Sequence, residues 1–127
     1  TGLTDIKLPN YLSSLWGTIL GGAFDGCTAL SRIEIPKCVK VIGERAFFHC
    51  VKLTEIKIPD SVIKIDTQAF CGCARLACVE LGKGLTHIGR EAFCNCVSLK
   101  TIEIPDSVMS INIDAFSGCS SLKAIEI

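Results

Sequence analysis

The sequence predicts an α/β repeat solenoid, with a parallel sheet on one face and short helical turns on the other. Two observations predict it: a pattern that recurs every 23 residues, and an alternation of apolar and polar residues within each copy. Self-similarity at a fixed period of roughly 20–50 residues is typical of stacked repeat architectures. Ala-Phe pairs mark the recurrence, at positions 23–24, 46–47, 69–70, 92–93 and 115–116.

The shared pattern is L-x-x-I-x-I-P-x-x-V-x-x-I-x-x-x-A-F-x-x-C, and the copy at 76–98 departs from it with Gly82-Lys83-Gly84 in place of the proline turn. In the third copy, residues 56–58 alternate apolar and polar side chains, which predicts a strand with one buried face. Pro59 ends this strand because proline cannot donate to a sheet ladder. Residues 62–65 predict a second short strand, and residues 66–73 leave room for about one or two helical turns.

A single copy cannot bury its own apolar face, whereas stacked copies align like residues in interior columns. We therefore expect one solenoid domain over 1–127, within a longer protein. Its last strand lacks the polar cap of a terminal repeat, which predicts either further repeats or end-to-end self-association through that strand. The predicted units are an irregular first unit at 3–29, regular units at 30–52, 53–75, 76–98 and 99–121, and an extra strand at 122–127.

The first unit contains an insertion. Pro9 and Ala23 lie 14 positions apart, against 10 for Pro36 and Ala46, so four residues are added near 13–16. Insertions in repeat proteins map to loops on one face, often the binding face. The insertion carries the only tryptophan, Trp16, which is a candidate partner-binding residue. The simpler interpretation is that the insertion covers the open end of the stack.

Composition limits the classes of function. Of the 127 residues 49% are hydrophobic and 20% charged, which favours a folded domain with a sizeable core. A formal net charge of +0 gives no basic face for a nucleic-acid backbone. Apolar runs are too short to span a membrane, and no signal peptide is present in this stretch.

Two motifs resemble a known family. I-x-I-P-D-S-V occurs at 56–62 and 102–108, and A-F-x-G-C occurs at 69–73 and 115–119. The chain resembles the BspA-like leucine-rich repeats, also called the Treponema pallidum type. The resemblance implies a right-handed leucine-rich-repeat superhelix at the cell surface or secreted, often adhesive or protein-binding. It transfers no catalytic residues and no cofactor, and we expect no enzymatic activity.

Nine cysteines raise three alternatives: core packing, a disulfide and zinc binding. Five share the repeat position after Ala-Phe, where a small buried side chain is favoured. The less favoured alternatives are a Cys71–Cys94 disulfide and a zinc site at the C-x-C pairs 71/73 and 94/96. Zinc usually requires C-x(2–4)-C spacing and four convergent ligands, so we expect no metal site.

The strand face offers the remaining candidates. In a parallel sheet, the polar residue of each first strand stacks about 4.8 Å from its neighbours. That column reads Lys7, Glu34, Lys57, Glu80, Glu103, Glu126, and the one beside it reads Asp5, Arg32, Glu55, Cys78, Thr101, Ala124.

Charges alternate along the early part of both columns and give way to an acidic strip in the later part. Two interpretations remain open. The simpler one is a solvated face that favours solubility, and the other is that Glu80, Thr101, Glu103 and Glu126 dock a basic protein partner. The sequence thus predicts protein–protein recognition or adhesion, and the alternative is a structural spacer without a ligand of its own.

Overall fold

The computed structural model describes residues 5–7, 18–19 and 21–126. Eleven strands occur in this part of the chain, and every complete repeat contributes a longer strand and then a shorter one. The strands are β1 (Asp5–Lys7), β2 (Thr18–Ile19), β3 (Arg32–Glu34), β4 (Val41–Ile42), β5 (Glu55–Lys57), β6 (Lys64–Ile65), β7 (Cys78–Glu80), β8 (His87–Ile88), β9 (Thr101–Glu103), β10 (Ser110–Ile111) and β11 (Ala124–Glu126).

The strands pair in parallel on two faces, which confirms the predicted parallel sheets. The longer strands form the pairs β1–β3, β5–β7 and β9–β11, with β3 lying beside β5 and β7 beside β9. The shorter strands form one sheet in the order β10-β8-β6-β4-β2. The register places like residues opposite each other, such as Ile42 against Ile65 and Ile56 against Val79. Each apolar position of the repeat therefore becomes a column through the interior.

The segments after the shorter strands are chains of turns, so the prediction of short helical turns is wrong for the described residues. In residues 43–50, backbone hydrogen bonds close four-residue turns, with the Ala46 nitrogen 3.1 Å from the Gly43 oxygen. Arg45 and His49, each the third residue of such a turn, have φ values of 56° and 57°. Right-handed helical backbone cannot include these positive φ values.

Hydrogen bonding between repeats explains the turns. The backbone N–H groups of Arg45, Phe47 and His49 donate to carbonyls of the next repeat, at N···O distances of 2.9, 2.7 and 2.8 Å. A helix would use these donors internally and would leave the neighbouring carbonyls unpaired. The stack is therefore joined by backbone hydrogen bonds along a third side, besides the two sheet faces.

One column on this third side alternates between glycine and a larger residue: Gly26, His49, Gly72, Asn95, Gly118. All five residues have positive φ. A Cβ atom at Gly72 would overlap the imidazole of His49, and one at Gly118 would overlap the side chain of Asn95. The larger side chain of one repeat therefore occupies the space that the glycine of the next repeat leaves open.

Phenylalanine rings form the centre of the core. Phe47, Phe70 and Phe93 are fully buried. Their rings stack in parallel, with centroids 5.0 Å apart for Phe47 and Phe70 and 5.2 Å apart for Phe70 and Phe93. Phe24 and Phe116 extend the stack at its two ends. This continuous ring stack confirms that successive repeats lie on one another with a shared dry interior.

The cysteines divide into two groups. Cys50, Cys73 and Cys96 are fully buried, which confirms the packing role of their column. Cys71 and Cys94 form a disulfide, with Cα atoms 4.6 Å apart. The sequence had favoured no disulfide, and this preference is wrong because stacking brings equivalent positions of adjacent repeats within the distance that a disulfide bridges. Among the described residues no group of three or more His, Cys, Asp or Glu side chains could hold a metal ion.

Candidate partner-binding face

Strands β3, β5, β7 and β9 each present two side chains outward and one inward. In β7, Cys78 and Glu80 are exposed and Val79 is buried; in β9, Thr101 and Glu103 are exposed on either side of buried Ile102. This arrangement follows from the two-residue period of a strand, which sends alternate side chains to opposite faces. The two polar columns that the sequence predicts therefore lie on the outer surface.

The early part of this surface pairs opposite charges. The guanidinium of Arg32 lies 3.6 Å from the carboxylate of Glu55 on the adjacent repeat, and both side chains are more than half exposed. The register also sets Lys57 opposite Glu80. Such pairs support the in-register stacking, although exposed ion pairs contribute only about 0–1 kcal/mol each.

The later part of the surface gathers carboxylates without this alternation. β7 lies beside β9, which brings Glu80 and Glu103 onto neighbouring strands. Pairing of β9 with β11 sets Glu103 opposite Glu126 in the register. Like charges on adjacent strands repel each other, and Glu103 has no oppositely charged residue in the register of the kind that Lys57 provides for Glu80.

A shallow depression of about 950 Å³ lies on this part of the sheet. Its lining includes three of the predicted docking residues, Glu80, Thr101 and Glu103. It also includes Asp106 and Lys83 from the turns that follow the strands. The structure thus brings together three predicted residues on one concave surface. We call Glu80, Thr101, Glu103 and Asp106 the acidic face.

Sequence reasoning missed Asp106, although a signal for it exists. The residue after each strand-ending turn position reads Lys37, Asp60, Lys83, Asp106, an alternation of sign from repeat to repeat. Asp60 uses its carboxylate to accept a hydrogen bond from the backbone nitrogen of Lys83, at 2.8 Å. Asp106 is the exposed carboxylate at the same position in the next-but-one repeat, and it lies at the edge of the depression.

Ser107 adds an unsatisfied polar group to the same depression. Its hydroxyl oxygen is buried and has no hydrogen-bond partner among the described residues. The equivalent hydroxyl of Ser61, two repeats earlier, donates to the carbonyl of Val39 at 2.7 Å. Ser107 therefore lacks the hydrogen bond that joins the equivalent turn at Ser61 to the repeat before it.

Two of the predicted residues are not placed by the structure. Trp16 lies outside the described residues. Glu126 belongs to β11 through its backbone, opposite Glu103, but its side chain lies outside the described part. Their part in partner binding stays a prediction.

The chemistry of the acidic face suits binding at an open surface. Carboxylates and hydroxyls accept hydrogen bonds from ammonium and guanidinium groups, and the guanidinium of arginine fits a carboxylate in a bidentate manner. Backbone atoms and buried side chains of two rigid strands hold these groups, with Ile102 fixed beneath them. None of the described residues forms a helix long and apolar enough to cross a membrane.

Comparison with known proteins identifies the family. The model of the BspA type leucine rich repeat region matches residues 1–127 with six copies. The chain belongs to the BspA-type leucine-rich-repeat family. The resemblance inferred from its motifs is thereby confirmed. A search of curated proteins found none that matches.

Solved structures show the same fold. A leucine-rich repeat protein from T. pallidum has 32% sequence identity and a TM-score of 0.91, over 98% of this chain and 59% of its own. One from Bacteroides ovatus has 34% identity and a TM-score of 0.83, over 98% of this chain and 33% of its own. The pneumococcal vaccine antigen PcpA has 25% identity and a TM-score of 0.79, over 96% of this chain and 29% of its own. The chain thus spans between about a third and three fifths of these proteins.

Membership of the family indicates only a general class of function. Leucine-rich-repeat proteins generally mediate protein–protein interaction and are typically non-enzymatic scaffolds. A fold supports many functions, so the site itself has to supply the argument for a particular partner.

Proposed function

We propose that this chain recognises a protein partner through the acidic face and that it does so at the cell surface or after secretion. The observation that carries the proposal is the convergence of Glu80, Thr101 and Glu103 on one depression. Thr101 and Glu103 end the alternation of charges that runs through Lys57 and Glu80, and a spacer without a ligand gains nothing from this departure. The solenoid supplies a rigid platform for them, and the chain acts by binding, without catalysis.

The partner that fits is a basic segment. Neighbouring strands lie about 4.8 Å apart, so one ammonium or guanidinium group can contact carboxylates on both of them. A cation there also relieves the repulsion between Glu80 and Glu103. Lys83 also lines the depression and repels a cation that binds close to it, which adds specificity.

Two considerations support an extracellular location. One structural neighbour, PcpA, is a pneumococcal vaccine antigen, a description consistent with exposure on a cell. The Cys71–Cys94 disulfide is of the kind that persists in oxidising surroundings outside the cytosol. Adhesion is the form of recognition that these two considerations favour.

A peptide library graded in net charge tests the proposal with the immobilised chain. We expect basic peptides to be retained and their retention to fall as salt rises. Glu103→Lys should weaken binding roughly five- to tenfold and flatten the salt dependence, since it both removes an attraction and adds a repulsion. The matched control is Glu44→Lys, which makes the same change of charge on an exposed turn after β4.

Two results contradict the proposal. If Glu103→Lys and Glu44→Lys weaken binding equally, the effect is one of total charge and the acidic face has no special part. If the chain retains no peptide of any charge, it behaves as the structural spacer that the sequence left as an alternative.

A further inference from the structure

Sequence spacing alone does not determine which of the nine cysteines form a disulfide. All nine cysteines lie in the described part of the chain. Five occupy equivalent positions in successive repeats, and we call them the inner column: Cys27, Cys50, Cys73, Cys96, Cys119. Cys71 and Cys94 are likewise equivalent positions in adjacent repeats, yet the disulfide joins these two. Neighbours in the inner column have the same separation of 23 residues.

Three thiols of the inner column donate hydrogen bonds to backbone carbonyls. The thiol of Cys50 donates to the carbonyl of Phe24 at 3.1 Å, and those of Cys73 and Cys96 donate to the carbonyls of Phe47 and Phe70, each at 3.2 Å. Each donor therefore contacts the backbone of the repeat before it. The sulfur atoms of Cys50, Cys73 and Cys96 are also enclosed by the core, since these residues have no exposed surface.

Burial suppresses the reactive form of the same thiols. It raises the pKa of Cys50 to about 12, with a smaller contribution from the nearby thiol of Cys27. Burial likewise raises the pKa of Cys73. Disulfide formation requires a thiolate with access to an oxidant, so both conditions are unmet inside the stack.

Cys71 and Cys94 differ from the inner column in their packing: each is 5% exposed, and neither belongs to the apolar cluster around the phenylalanine rings. Their carbonyls accept hydrogen bonds from the neighbouring repeats: Cys71 from His49 at 2.8 Å and Cys94 from Gly72 at 2.7 Å. The backbones are thus held in register on the third side of the stack, outside the phenylalanine core. Other repeats carry Asp25, Phe48 and Ser117 at this position, so only these two adjacent repeats can be joined there.

We propose that the fold determines which cysteines are oxidised: under oxidising conditions the Cys71–Cys94 disulfide forms, and Cys50, Cys73 and Cys96 remain thiols. The chain then exists as a protein with one internal disulfide that links the repeats 53–75 and 76–98. This inference is independent of the acidic face. It explains how Cys50, Cys73 and Cys96 can pass through an oxidising compartment without pairing with one another; the partly exposed Cys27 and Cys119 at the two ends of the inner column lie outside the proposal.

The chemistry balances with a small disulfide, such as oxidised glutathione, as the oxidant. The thiolate of Cys71 attacks one sulfur of that disulfide and releases one glutathione thiolate. The thiolate of Cys94 then attacks the Cys71 sulfur of the mixed disulfide and releases the second. Two protons and two electrons leave the protein, and the small disulfide is reduced to two thiols.

Differential alkylation of the folded chain tests the proposal. The chain is equilibrated in a glutathione redox buffer and treated with N-ethylmaleimide, then denatured and treated with a deuterated form of the reagent. Trypsin releases the peptides 65–75 and 91–100, each of which carries one cysteine of the disulfide and one of the inner column. Fragmentation of the linked pair therefore distinguishes a Cys71–Cys94 bond from a Cys73–Cys96 bond.

We expect the linked pair to contain only the Cys71–Cys94 bond. Cys50, Cys73 and Cys96 should carry the deuterated label, having reacted at least roughly a hundredfold more slowly in the folded chain than exposed Cys78. A Cys73–Cys96 bond, or native labelling of the three buried thiols at the rate of Cys78, would overturn the proposal.

The variant Cys71→Ser provides a second and more stringent test of the proposal. In Cys71→Ser the preferred bond cannot form, and proximity alone would let Cys73 and Cys96 join in its place. The proposal expects the peptides 65–75 and 91–100 to remain unlinked. A new Cys73–Cys96 bond in this variant contradicts it, and the wild-type chain decides the matter if the variant does not fold.

Discussion

The interior repeats and the repeat at 99–121 use the same residue types and bury them to different extents. Ile65 and Ile88 in the shorter strands have no exposed surface, whereas Ile111 at the equivalent position is 42% exposed. Phe70 and Phe93 are fully buried, and Phe116 is only partly buried. The interior repeats are covered on both sides, whereas in the repeat at 99–121 β11 covers β9 but no described strand covers the outer side of β10. Burial in this fold is therefore a property of the interfaces between repeats.

The stability of the stack therefore depends mainly on contacts between adjacent repeats. In repeat proteins, stability is approximately the sum of the terms for single repeats and for their interfaces. A substitution at an equivalent position should then cost more where two interfaces are affected than where one is.

Truncation of the central ring should have the largest effect. Phe70→Ala removes a fully buried ring with partners on both sides, and we expect a loss of about 3–5 kcal/mol in the free energy of unfolding. Phe116→Ala removes a ring stacked on Phe93 alone within the described stack and should cost roughly half as much. Urea unfolding followed by circular dichroism measures both. Equal losses of unfolding free energy in the two variants would show that the repeat at 99–121 is as well packed as the interior repeats.

Loss of the disulfide comes next. Simultaneous Cys71→Ser and Cys94→Ser substitutions remove a cross-link between residues 23 positions apart, which should lower the unfolding free energy by about 3 kcal/mol. Cys78→Ser is the control, because this side chain is exposed and should change stability little. A reducing agent should destabilise the wild-type chain by the same amount and leave the double variant unaffected.

The alternating glycine column predicts an intermediate effect. Gly72→Ala places a Cβ against His49 at a φ of 80° and should cost about 2–3 kcal/mol. Gly22→Ala is the matched control: its φ is 70° and no atom lies within 4 Å of the new Cβ, so only the conformational cost of about 1 kcal/mol remains.

A second substitution separates the two contributions at Gly72. His49→Gly in the Gly72→Ala background removes the overlap and should restore the part of the loss that exceeds the Gly22→Ala value. If His49→Gly restores nothing, the side chain of His49 does not limit position 72.

The exposed ion pair should have the smallest effect. A double-mutant cycle with Arg32→Gln and Glu55→Gln should give a coupling energy below about 1 kcal/mol, since both side chains are mostly exposed. The coupling should disappear at high salt. A larger value would mean that charge on the strand face contributes to stacking as strongly as the core does.

Much of the architecture could be predicted because a repeated residue implies a repeated position. The fixed spacing of Ala-Phe predicted that the rings lie in one column, and the I-x-I segments predicted strands with one buried face. The same logic placed Glu80, Thr101 and Glu103 on one surface. It missed Asp106 and the hydroxyl of Ser107, because the curvature of the turns after each strand brings them to the depression. Pairing of the β11 edge with another chain stays a prediction.

The helical turns were predicted wrongly for a physical reason. The backbone bends at Arg45 and His49 through positive φ values that glycine usually supplies, and neither residue type indicates them. In these segments the same N–H groups could serve a helix or a neighbouring repeat. Carbonyls on the next repeat decide between them, and these exist only once the chain is stacked.

Stacking of the chain, its interior columns and its outward polar columns could all be inferred from the 23-residue period, because each repeat places the same residue types at the same positions. The path of the turns and the choice of cysteines that join could not be inferred in this way. Both depend on atoms of the adjacent repeat, whose carbonyls draw the backbone into turns and hold the inner thiols, while Cys71 and Cys94 lie outside the core, close enough to bond.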